Sequence, residues 1–283
     1  MESGELYCKV YNTLMPKLTI SVENAEYQII QALKLNRTKR HKAQEAFVEG
    51  IESIKQAVSA ELEITRIIAT DVEKLSTWSK DLIRSHPKAK IIEMSFDLYK
   101  SLCDRDEPSE IVITAKVDFL NLADLQLPAK PFVLVFDRPS DMGNLGSIVR
   151  SANSFGVDAI RLIGHGVDVY DPKVIRSSLG SIFHSKIISI QSMPEFEAWI
   201  AEQKRRNNLN VVGTDSTGDA SLMSHKLARP IAVVLGNEAK GISVALKNLC
   251  DYVVSIPVEG AVNSLNVASA GSIILWDVYK NSR

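Results

Sequence analysis

Three polar segments of this sequence follow apolar runs and carry side chains that could position a ligand or place charge beside it. In the first segment, Asn144 stands near the start of a predicted helix, and Arg150 lies six residues further along that helix. Arg150 could therefore turn toward the same site as Asn144. Gly143 and Gly146 allow the backbone to approach a ligand or a neighbouring chain closely. Considered alone, Asn144 is better explained as a helix N-cap and Arg150 as a surface charge.

The other two segments place a carboxylate, a hydroxyl and an amide at comparable points. The run IAVVL is followed by Gly-Asn-Glu, so Glu238 lies where a ligand at the end of a parallel sheet would bind. A tight turn with Ser243 capping the next helix would explain the same residues, and both interpretations can hold together. The third segment, 256–268, is a loop with proline and glycine that leads into a helix of small residues. Helix capping by Ser264 and Asn266 explains this segment about equally well.

The elements that must position these segments fall into two regions. Residues 1–120 mix helical and strand patterns, which predicts a small α/β domain. Residues 132–283 alternate more sharply and predict an α/β domain with a mostly parallel sheet and helices on both faces. The stretch 121–131 between them has two prolines and no clear period, so we expect an interdomain linker.

Periodicity gives approximate bounds for each element. In the first region we expect helices at 26–35, 44–62 and 74–85, with a short strand near 47–51 as an alternative, and strands at 64–70, 89–94 and 110–117. In the second region we expect strands at 132–137, 159–163, 187–190, 210–213, 231–235 and 252–256, and helices at 144–155, 172–179, 194–206, 243–249 and 265–279.

Composition is that of a globular protein with no membrane or metal signature. The chain has 283 residues, is 45% hydrophobic and carries a net charge of −1, which are ordinary values. No stretch approaches the ~20 apolar residues that span a bilayer, and residues 1–17 lack the apolar core of a signal peptide, so we expect a cytosolic protein. Three separated cysteines and five unclustered histidines show no zinc-type spacing, so we expect no metal.

Local runs of positive charge indicate where a nucleic acid could bind, although the net charge does not. The run 37–42 is densely basic, and such runs can contact phosphates. Four of its residues are predicted to bind RNA: Arg37, Lys39, Arg40 and Lys42. A solvated helix face is the alternative for this run, and it is the preferred interpretation of the shorter basic run 204–206.

Taken together, the three segments resemble the motifs of the SpoU (TrmH-like) family of RNA ribose methyltransferases, within the SPOUT class. The first motif is similar to Asn-x-Gly-x-x-x-Arg and is matched at 144–150. The second is similar to Leu-Gly-Asn-Glu and is matched at 235–238. The third, Ile-Pro followed by Ser-Leu-Asn-Val, is matched within 256–267. Met142 and Ala239 depart from the pattern, since relatives often have proline and glycine at these positions.

The first region resembles the L30e-like substrate-binding domain that is joined to many SpoU enzymes. The similar pieces are 36–50 and 92–103. This resemblance favours ribosomal RNA, such as 23S rRNA, over tRNA, because tRNA-specific relatives often lack the domain. Some similar enzymes, including the thiostrepton-resistance type, confer antibiotic resistance by methylating ribosomal RNA, and the sequence leaves housekeeping and resistance roles open.

The resemblance implies S-adenosylmethionine as the methyl donor, a deep trefoil knot, and a homodimer with its active site near the subunit interface. It implies that five residues form the catalytic set: Asn144, Arg150, Glu238, Ser264 and Asn266. It implies that the donor is held by Gly213, Thr214, Leu235, Gly236, Asn237, Gly241, Ile256, Ser264 and Leu265. Because a guanidinium is essentially always protonated, we expect Arg150 to clamp a phosphate and stabilise the developing oxyanion rather than to act as a base.

Three alternatives remain open at this point. The substrate could be tRNA, or the chain could be a non-catalytic RNA-binding protein that retains the fold. The complete set of motif residues argues against loss of catalysis. A nucleotide-dependent enzyme of the doubly wound type, such as a dehydrogenase, is disfavoured because no Gly-x-Gly-x-x-Gly follows a strand.

Overall fold

The structure of this protein is a computed structural model that describes residues 17–120, 126–261 and 264–283. The chain divides into two units, Met1–Asp118 and Phe119–Arg283. Each unit is built around its own sheet.

The first unit contains the strands β1 (Lys17–Ile20), β2 (Glu45–Glu49), β3 (Ile64–Ala69), β4 (Lys90–Met94) and β5 (Ile111–Lys116). Its α-helices are α1 (Ala25–Leu35), α2 (Arg37–Ala43), α3 (Ile51–Ser59), α4 (Thr77–Ser85) and α5 (Phe96–Leu102), with a 3-10 turn at Val72–Lys74. The strands form one sheet in the order β1-β4-β3-β5-β2. Strands β1, β4 and β3 are parallel, and β5 is antiparallel to both β3 and β2.

Apolar residues of α1 and α5 form the core of the first unit against this sheet. Tyr27, Ile30 and Leu33 recur every three residues along α1, and all three are buried. This spacing places them on one stripe of the helix. They belong to the same apolar cluster as Tyr99 and Leu102 of α5. The helical period read from the sequence therefore corresponds to the buried face of α1.

The second unit contains the strands β6 (Phe132–Asp137), β7 (Ala159–Ile163), β8 (Ile187–Ile190), β9 (Asn210–Thr214), β10 (Ala220–Ser221), β11 (Ile231–Leu235) and β12 (Tyr252–Ser255). Its α-helices are α6 (Met142–Ser154), α7 (Pro172–Ser177), α8 (Met193–Asn207), α9 (Val244–Leu249) and α10 (Val267–Asn281), with a 3-10 turn at Ser181–His184. The sheet order is β10-β12-β9-β11-β6-β7-β8, and every neighbouring pair is parallel. The mostly parallel sheet that the sequence predicts is confirmed.

This strand order decides where the functional loops meet. Strands β12, β9, β11 and β6 are consecutive neighbours in the sheet although they are far apart in sequence. Because the carboxyl ends of parallel strands share one edge, the loops that follow these four strands lie side by side. Residues Phe132 and Ile231 are fully buried at the starts of two of these strands, as continuous apolar runs in a covered parallel sheet should be.

Close helix packing fixes the position of α6, which carries the first motif. A Cβ on Gly146 would lie 2.7 Å from the Val174 carbonyl oxygen of α7, so only glycine allows this approach. On the other side of α6, the hydroxyls of Ser151 and Ser272 are 2.7 Å apart, which joins α6 to α10. The glycine of the first motif therefore has a packing function between helices.

Two kinds of difference separate the predicted elements from the observed ones. The helix predicted over 44–62 is wrong in its first part, where β2 pairs antiparallel with β5 and all five of its residues are buried. The short strand given as the alternative near 47–51 corresponds to β2, which lies at Glu45–Glu49. The sequence analysis also missed four short elements: β1, α2, α5 and β10. Elements of two to seven residues contain too few periods to be recognised.

The predicted linker 121–131 lies partly outside the described residues, and its described part, 126–131, forms neither helix nor strand. In the part of the chain that the structure describes, no helix combines the length and the apolar character needed to cross a bilayer.

Candidate active site

A cavity of about 630 Å³ lies among the loops that follow β9, β11 and β12 and the start of α10. Its wall includes most of the predicted site residues: Asn144, Thr214, Leu235, Gly236, Asn237, Glu238, Gly241, Ile256, Ser264, Leu265 and Asn266. The structure therefore brings residues from all three polar segments to one place.

The loop after β11 folds back on itself and forms one side of this cavity. Asn237 and Gly241 pair through two backbone hydrogen bonds, with N to O distances of 3.0 and 2.9 Å. The side-chain oxygen of Asn237 accepts hydrogen bonds from the backbone N–H groups of Ala239 and Lys240, at 3.0 Å each. Its Nδ2 donates to the Arg138 carbonyl at 2.7 Å. Asn237 thus shapes the loop and ties it to the segment after β6.

Glu238 fastens the same loop to the first motif. Its Oε2 accepts hydrogen bonds from the backbone N–H of Ser140 at 3.1 Å and from the Ser140 hydroxyl at 2.6 Å. Its Oε1 accepts one from the Asp141 N–H at 3.2 Å and a longer one from Nδ2 of Asn144 at 3.4 Å. Both carboxylate oxygens are therefore engaged by residues almost one hundred positions earlier in the chain.

Asn144 extends this connection to the third segment. Its Oδ1 accepts a hydrogen bond from Nδ2 of Asn266 at 2.9 Å. The Oδ1 of Asn266 in turn caps α10, accepting from the N–H of Ala268 at 2.8 Å. Glu238, Asn144 and Asn266 form one hydrogen-bonded chain, so the three segments are held together by side chains of the motifs themselves.

This environment keeps Glu238 ionised. Burial in the cavity wall would by itself raise the pKa of Glu238. The hydrogen bonds from the Ser140 side chain and from the N–H groups of Ser140 and Asp141 outweigh that effect and hold the pKa below the ordinary value of 4.5. An ionised carboxylate can only accept hydrogen bonds. Glu238 therefore acts here as an anchor for the loops.

Two predicted site residues do not line the cavity. Arg150 is exposed on α6 and is absent from the wall. Gly213 is buried within β9, where a Cβ would meet Sγ of Cys250 at 3.1 Å and Cγ2 of Val253 at 3.2 Å. Gly213 is thus tightly packed behind the loop, so a larger residue would require these side chains to shift.

Sequence reasoning missed several residues of the wall. The loop after β9 contributes Asp215 and Ser216, and the β11 loop contributes Lys240. The rule that places ligands beyond the carboxyl ends of strands applies equally to β9 and could have identified the first two. The start of α10 contributes Val267, Ala270 and Ile274, whose i, i+3 and i+7 spacing marks one face of a helix.

The predicted RNA-binding residues lie on α2 of the first unit. Three of them are exposed: Arg37, Lys39 and Lys42. Arg40 is only 2% exposed, and its Nη1 donates to the carbonyl oxygens of Leu33 at 2.9 Å and Lys34 at 2.8 Å. These are carbonyls at the end of α1, which lack helical partners. The guanidinium of Arg40 is thus engaged inside the unit, so the exposed cations of the predicted RNA-binding set are Arg37, Lys39 and Lys42.

The cavity fits the adenosine and amino acid parts of S-adenosylmethionine in size and in character. Its volume is in the usual range for small-molecule sites, and backbone groups and apolar side chains form much of the wall. At Gly236 a Cβ would lie 2.8 Å from Cα of Gly241 and 2.5 Å from the nitrogen of Ile242. Gly236 therefore lets the β11 loop fold closely on itself at the cavity wall. Within 17–120, 126–261 and 264–283, no cluster of three or more His, Cys, Asp or Glu could hold a metal.

Comparison with family models divides the chain in the same way as its sheets do. Residues 131–276 match the SpoU rRNA Methylase family, and residues 24–113 match the SpoU L30e-like domain. The chain is 35% identical over 263 residues to the 23S rRNA (uridine(2479)-2′-O)-methyltransferase of Streptomyces viridochromogenes, covering 92% of this chain and 91% of that protein. It is 24% identical to the 23S rRNA (guanosine(2553)-2′-O)-methyltransferase RlmP of Bacillus subtilis, covering 90% and 97%.

A solved structure agrees with the sequence relatives. The SpoU methyltransferase AviRb from Streptomyces viridochromogenes, in complex with the cofactor AdoMet, superposes with a TM-score of 0.85 at 34% identity, covering 92% of this chain and all of that one (100%). Fold, motif geometry and sequence identity therefore agree, and this chain belongs to the SpoU rRNA methylase family, with an L30e-like domain preceding its methylase domain.

Proposed function

We propose that this protein transfers the methyl group of S-adenosylmethionine to a ribose 2′-hydroxyl of ribosomal RNA in the cytoplasm, with 23S rRNA as the favoured substrate. The observation that carries the proposal is the chain Glu238–Asn144–Asn266, which ties three segments around one cavity. The two 23S rRNA methyltransferases span most of this chain at 92% and 90% coverage. RNA recognition and methyl transfer are thus combined in one polypeptide.

The donor brings a methyl group that is already activated on a positively charged sulfur. The residues of this chain therefore contribute alignment and placement of charge. Backbone groups beside Gly236 and the apolar side chains of Leu235, Ile256 and Leu265 hold the donor by close contact. Asn144 and Asn266 keep the loops in register around it.

A second copy of the chain completes the site in this proposal. Arg150 is exposed on α6 and does not line the cavity of its own chain. Helix α10, which contacts α6, exposes Ile273 (40%) and Trp276 (48%) to solvent. Apolar side chains exposed together on a helix suit a protein interface. We therefore place a homodimer interface on α6 and α10, with Arg150 close to the active site there.

At that interface Arg150 holds the phosphate next to the target ribose and stabilises negative charge on the attacking 2′-oxygen. A guanidinium stays protonated at neutral pH, so the hydroxyl proton passes to solvent. The exposed cations of α2, Arg37, Lys39 and Lys42, bind the RNA backbone. A trefoil-knotted path of the second unit, which would hold the β11 and β12 loops together, belongs to the same proposal.

The decisive experiment is Arg150→Ala in a radiolabelled methyl-transfer assay on 23S rRNA, with calorimetry of donor binding in parallel. Loss of one positioned charge should lower turnover by about 10²–10³-fold, while the dissociation constant of S-adenosylmethionine changes less than about twofold because Arg150 is outside the cavity wall. Arg206→Ala, which removes an exposed arginine of α8, is the matched control and should leave both quantities unchanged.

The same assay separates the competing functions. Methyl transfer to total tRNA but not to ribosomal RNA would replace the proposed substrate. Donor binding without transfer to any RNA would indicate a non-catalytic RNA-binding protein. Full turnover of the Arg150 variant would refute the role of Arg150 while leaving the methyltransferase assignment intact.

A further inference from the structure

The cavity wall carries three charged side chains: Asp215, Glu238 and Lys240. Glu238 is committed to Ser140, Asp141 and Asn144, as described above. Lys240 is exposed at the outer part of the β11 loop. Of the two carboxylates in this wall, Asp215 is the one that the loop-anchoring network does not use.

Asp215 is held in a fixed orientation by its own loop. Its Oδ1 accepts hydrogen bonds from the backbone N–H and from the hydroxyl of Thr217, both at 2.9 Å. Its Oδ2 lies 3.9 Å from the position that a Cβ on Gly241 would take, so the carboxylate faces the β11 loop. The side chain is half-buried. Asp215 therefore brings a carboxylate from the β9 loop close to the β11 loop at the cavity.

This carboxylate is charged at neutral pH. The backbone N–H of Thr217 lowers the pKa of Asp215, burial opposes that effect, and the Thr217 hydroxyl and the charge of Lys247 lower the pKa further. With Glu238 also ionised and Lys240 positive, the three wall side chains sum to one negative charge. A wall with this balance favours a ligand with a net positive charge.

We propose that Asp215 makes this cavity select the sulfonium methyl donor over its neutral thioether product. The proposal rests on donor binding in this cavity. During transfer the bond between methyl carbon and sulfur breaks, and its electron pair stays on sulfur. A new bond joins that carbon to the ribose 2′-oxygen, whose proton passes to solvent. Donor and product then differ by one methyl group and one positive charge on sulfur, so a fixed carboxylate near the sulfur favours the donor over the product.

The consequence concerns turnover. A cavity that contacts only the adenosine and amino acid parts would hold product about as tightly as donor, and product would compete at every cycle. A carboxylate beside the sulfonium strengthens donor binding, and in the product complex it keeps only the hydrogen bonds of its own loop. Asp215 is in this sense a specificity-determining residue for exchange of product by donor.

The test measures dissociation constants of S-adenosylmethionine and S-adenosylhomocysteine by calorimetry with the full-length protein and with Asp215→Asn. The amide is isosteric, and its oxygen can still accept from Thr217. We expect the donor to bind about three- to tenfold more weakly, as for unit charges roughly 6–8 Å apart in a partly solvated site, and the product to change by less than about twofold. Asp219→Asn removes the same charge from an exposed position of the same loop outside the wall and should change neither.

Two further measurements decide the outcome if the variant is altered in stability. In the unmodified protein, raising the salt concentration from about 0.05 M to about 0.5 M should reduce the preference for donor over product, because salt screens the carboxylate. Sinefungin, which carries an amine in place of the sulfonium, should follow the donor. Equal weakening of all three ligands by Asp215→Asn, or a preference indifferent to salt and to the substitution, would overturn the proposal. Failure of the unmodified protein to bind either ligand would instead contradict the donor site itself.

Discussion

The cavity of the second unit and the basic helix α2 of the first unit differ in how strictly they require particular residue types and contacts. In the cavity, two motif residues are fixed by specific contacts: Glu238 by two backbone N–H groups and Asn144 by two side chains. On α2, Lys39 and Lys42 are exposed, and they can present their positive charge without a fixed side-chain position. A site built from backbone contacts tolerates few residue types, whereas a phosphate-binding surface needs only positive charge.

This difference predicts a graded response to substitution. Substitutions in the cavity should change donor binding and turnover. The effect should be larger when a substitution fills more space or removes more hydrogen bonds. Changes of the exposed cations of α2 should act on RNA affinity alone and should be individually small. Four substitutions probe this comparison, beginning with the one that the backbone tolerates least.

Gly236→Ala should have the largest effect. Its Cβ would lie 2.8 Å from Cα of Gly241 and 2.5 Å from the nitrogen of Ile242. These are backbone atoms, which cannot move away as the end of a side chain could. We expect the dissociation constant of S-adenosylmethionine to rise by roughly thirty- to a hundredfold, corresponding to about 2–3 kcal/mol of overpacking. Calorimetry measures this change.

Ala239→Ser is the control for this substitution, because residue 239 lies on the same loop and is exposed. It should leave donor binding unchanged. RNA affinity of the Gly236 variant, measured without donor, should also be preserved if α2 carries RNA binding. Donor affinity of that variant within about threefold of the original would mean that the loop is less constrained than its geometry indicates.

Asn144→Asp should have an intermediate effect that depends on pH. The Nδ2 of Asn144 faces Oε1 of Glu238 at 3.4 Å and its Oδ1 accepts from Asn266. A carboxylate in its place meets Glu238 as a like charge, which raises the pKa of the pair. We expect turnover to fall about tenfold at about pH 8. The loss should shrink as pH falls, because the introduced carboxyl group, once protonated, donates to Glu238 again.

The measurement is the ratio of variant to original turnover across a range of pH, which removes the pH dependence that the two proteins share. Asn153→Asp adds the same charge at an exposed position of α6, and its ratio should stay constant. A loss at Asn144 that is equal at every pH would indicate that the amide acts through shape rather than through its hydrogen bond to Glu238.

The same comparison explains what could be predicted from the sequence. The strands of the second unit were predicted closely because apolar runs in a covered parallel sheet are continuous, as at Phe132–Asp137. The motif residues were predicted because the three segments together resemble the SpoU motifs, although each segment alone had a simpler explanation. Asp215 and Lys240 were missed because no motif contains them, although the cavity does.

Other features could not be predicted because they depend on tertiary packing. The sequence marks Arg40 as one more member of a basic run, yet its guanidinium serves the carbonyls of Leu33 and Lys34. Arg161 lies within an apolar strand and is fully buried, stacked 4.6 Å from the centre of the Trp199 ring. None of its guanidinium nitrogens has a hydrogen-bond partner among the described residues. Charge patterning alone cannot distinguish such arginines from exposed ones.

The pair Lys39→Met and Arg40→Met tests the first unit most directly, with the smallest expected effect on function. Lys39 is exposed, so its loss should weaken RNA binding about two- to fourfold and reduce the salt dependence of binding by roughly one ion, with an unchanged melting temperature.

Arg40 is 2% exposed. Its loss leaves two carbonyls of α1 without donors and should cost about 2–3 kcal/mol of stability, while RNA affinity of the folded protein stays the same. Fluorescence anisotropy with an rRNA fragment and thermal unfolding separate the two results. If instead Arg40→Met weakened RNA binding more than Lys39→Met without lowering the melting temperature, then the buried arginine would be part of the RNA surface, and residue type would matter there as much as in the cavity.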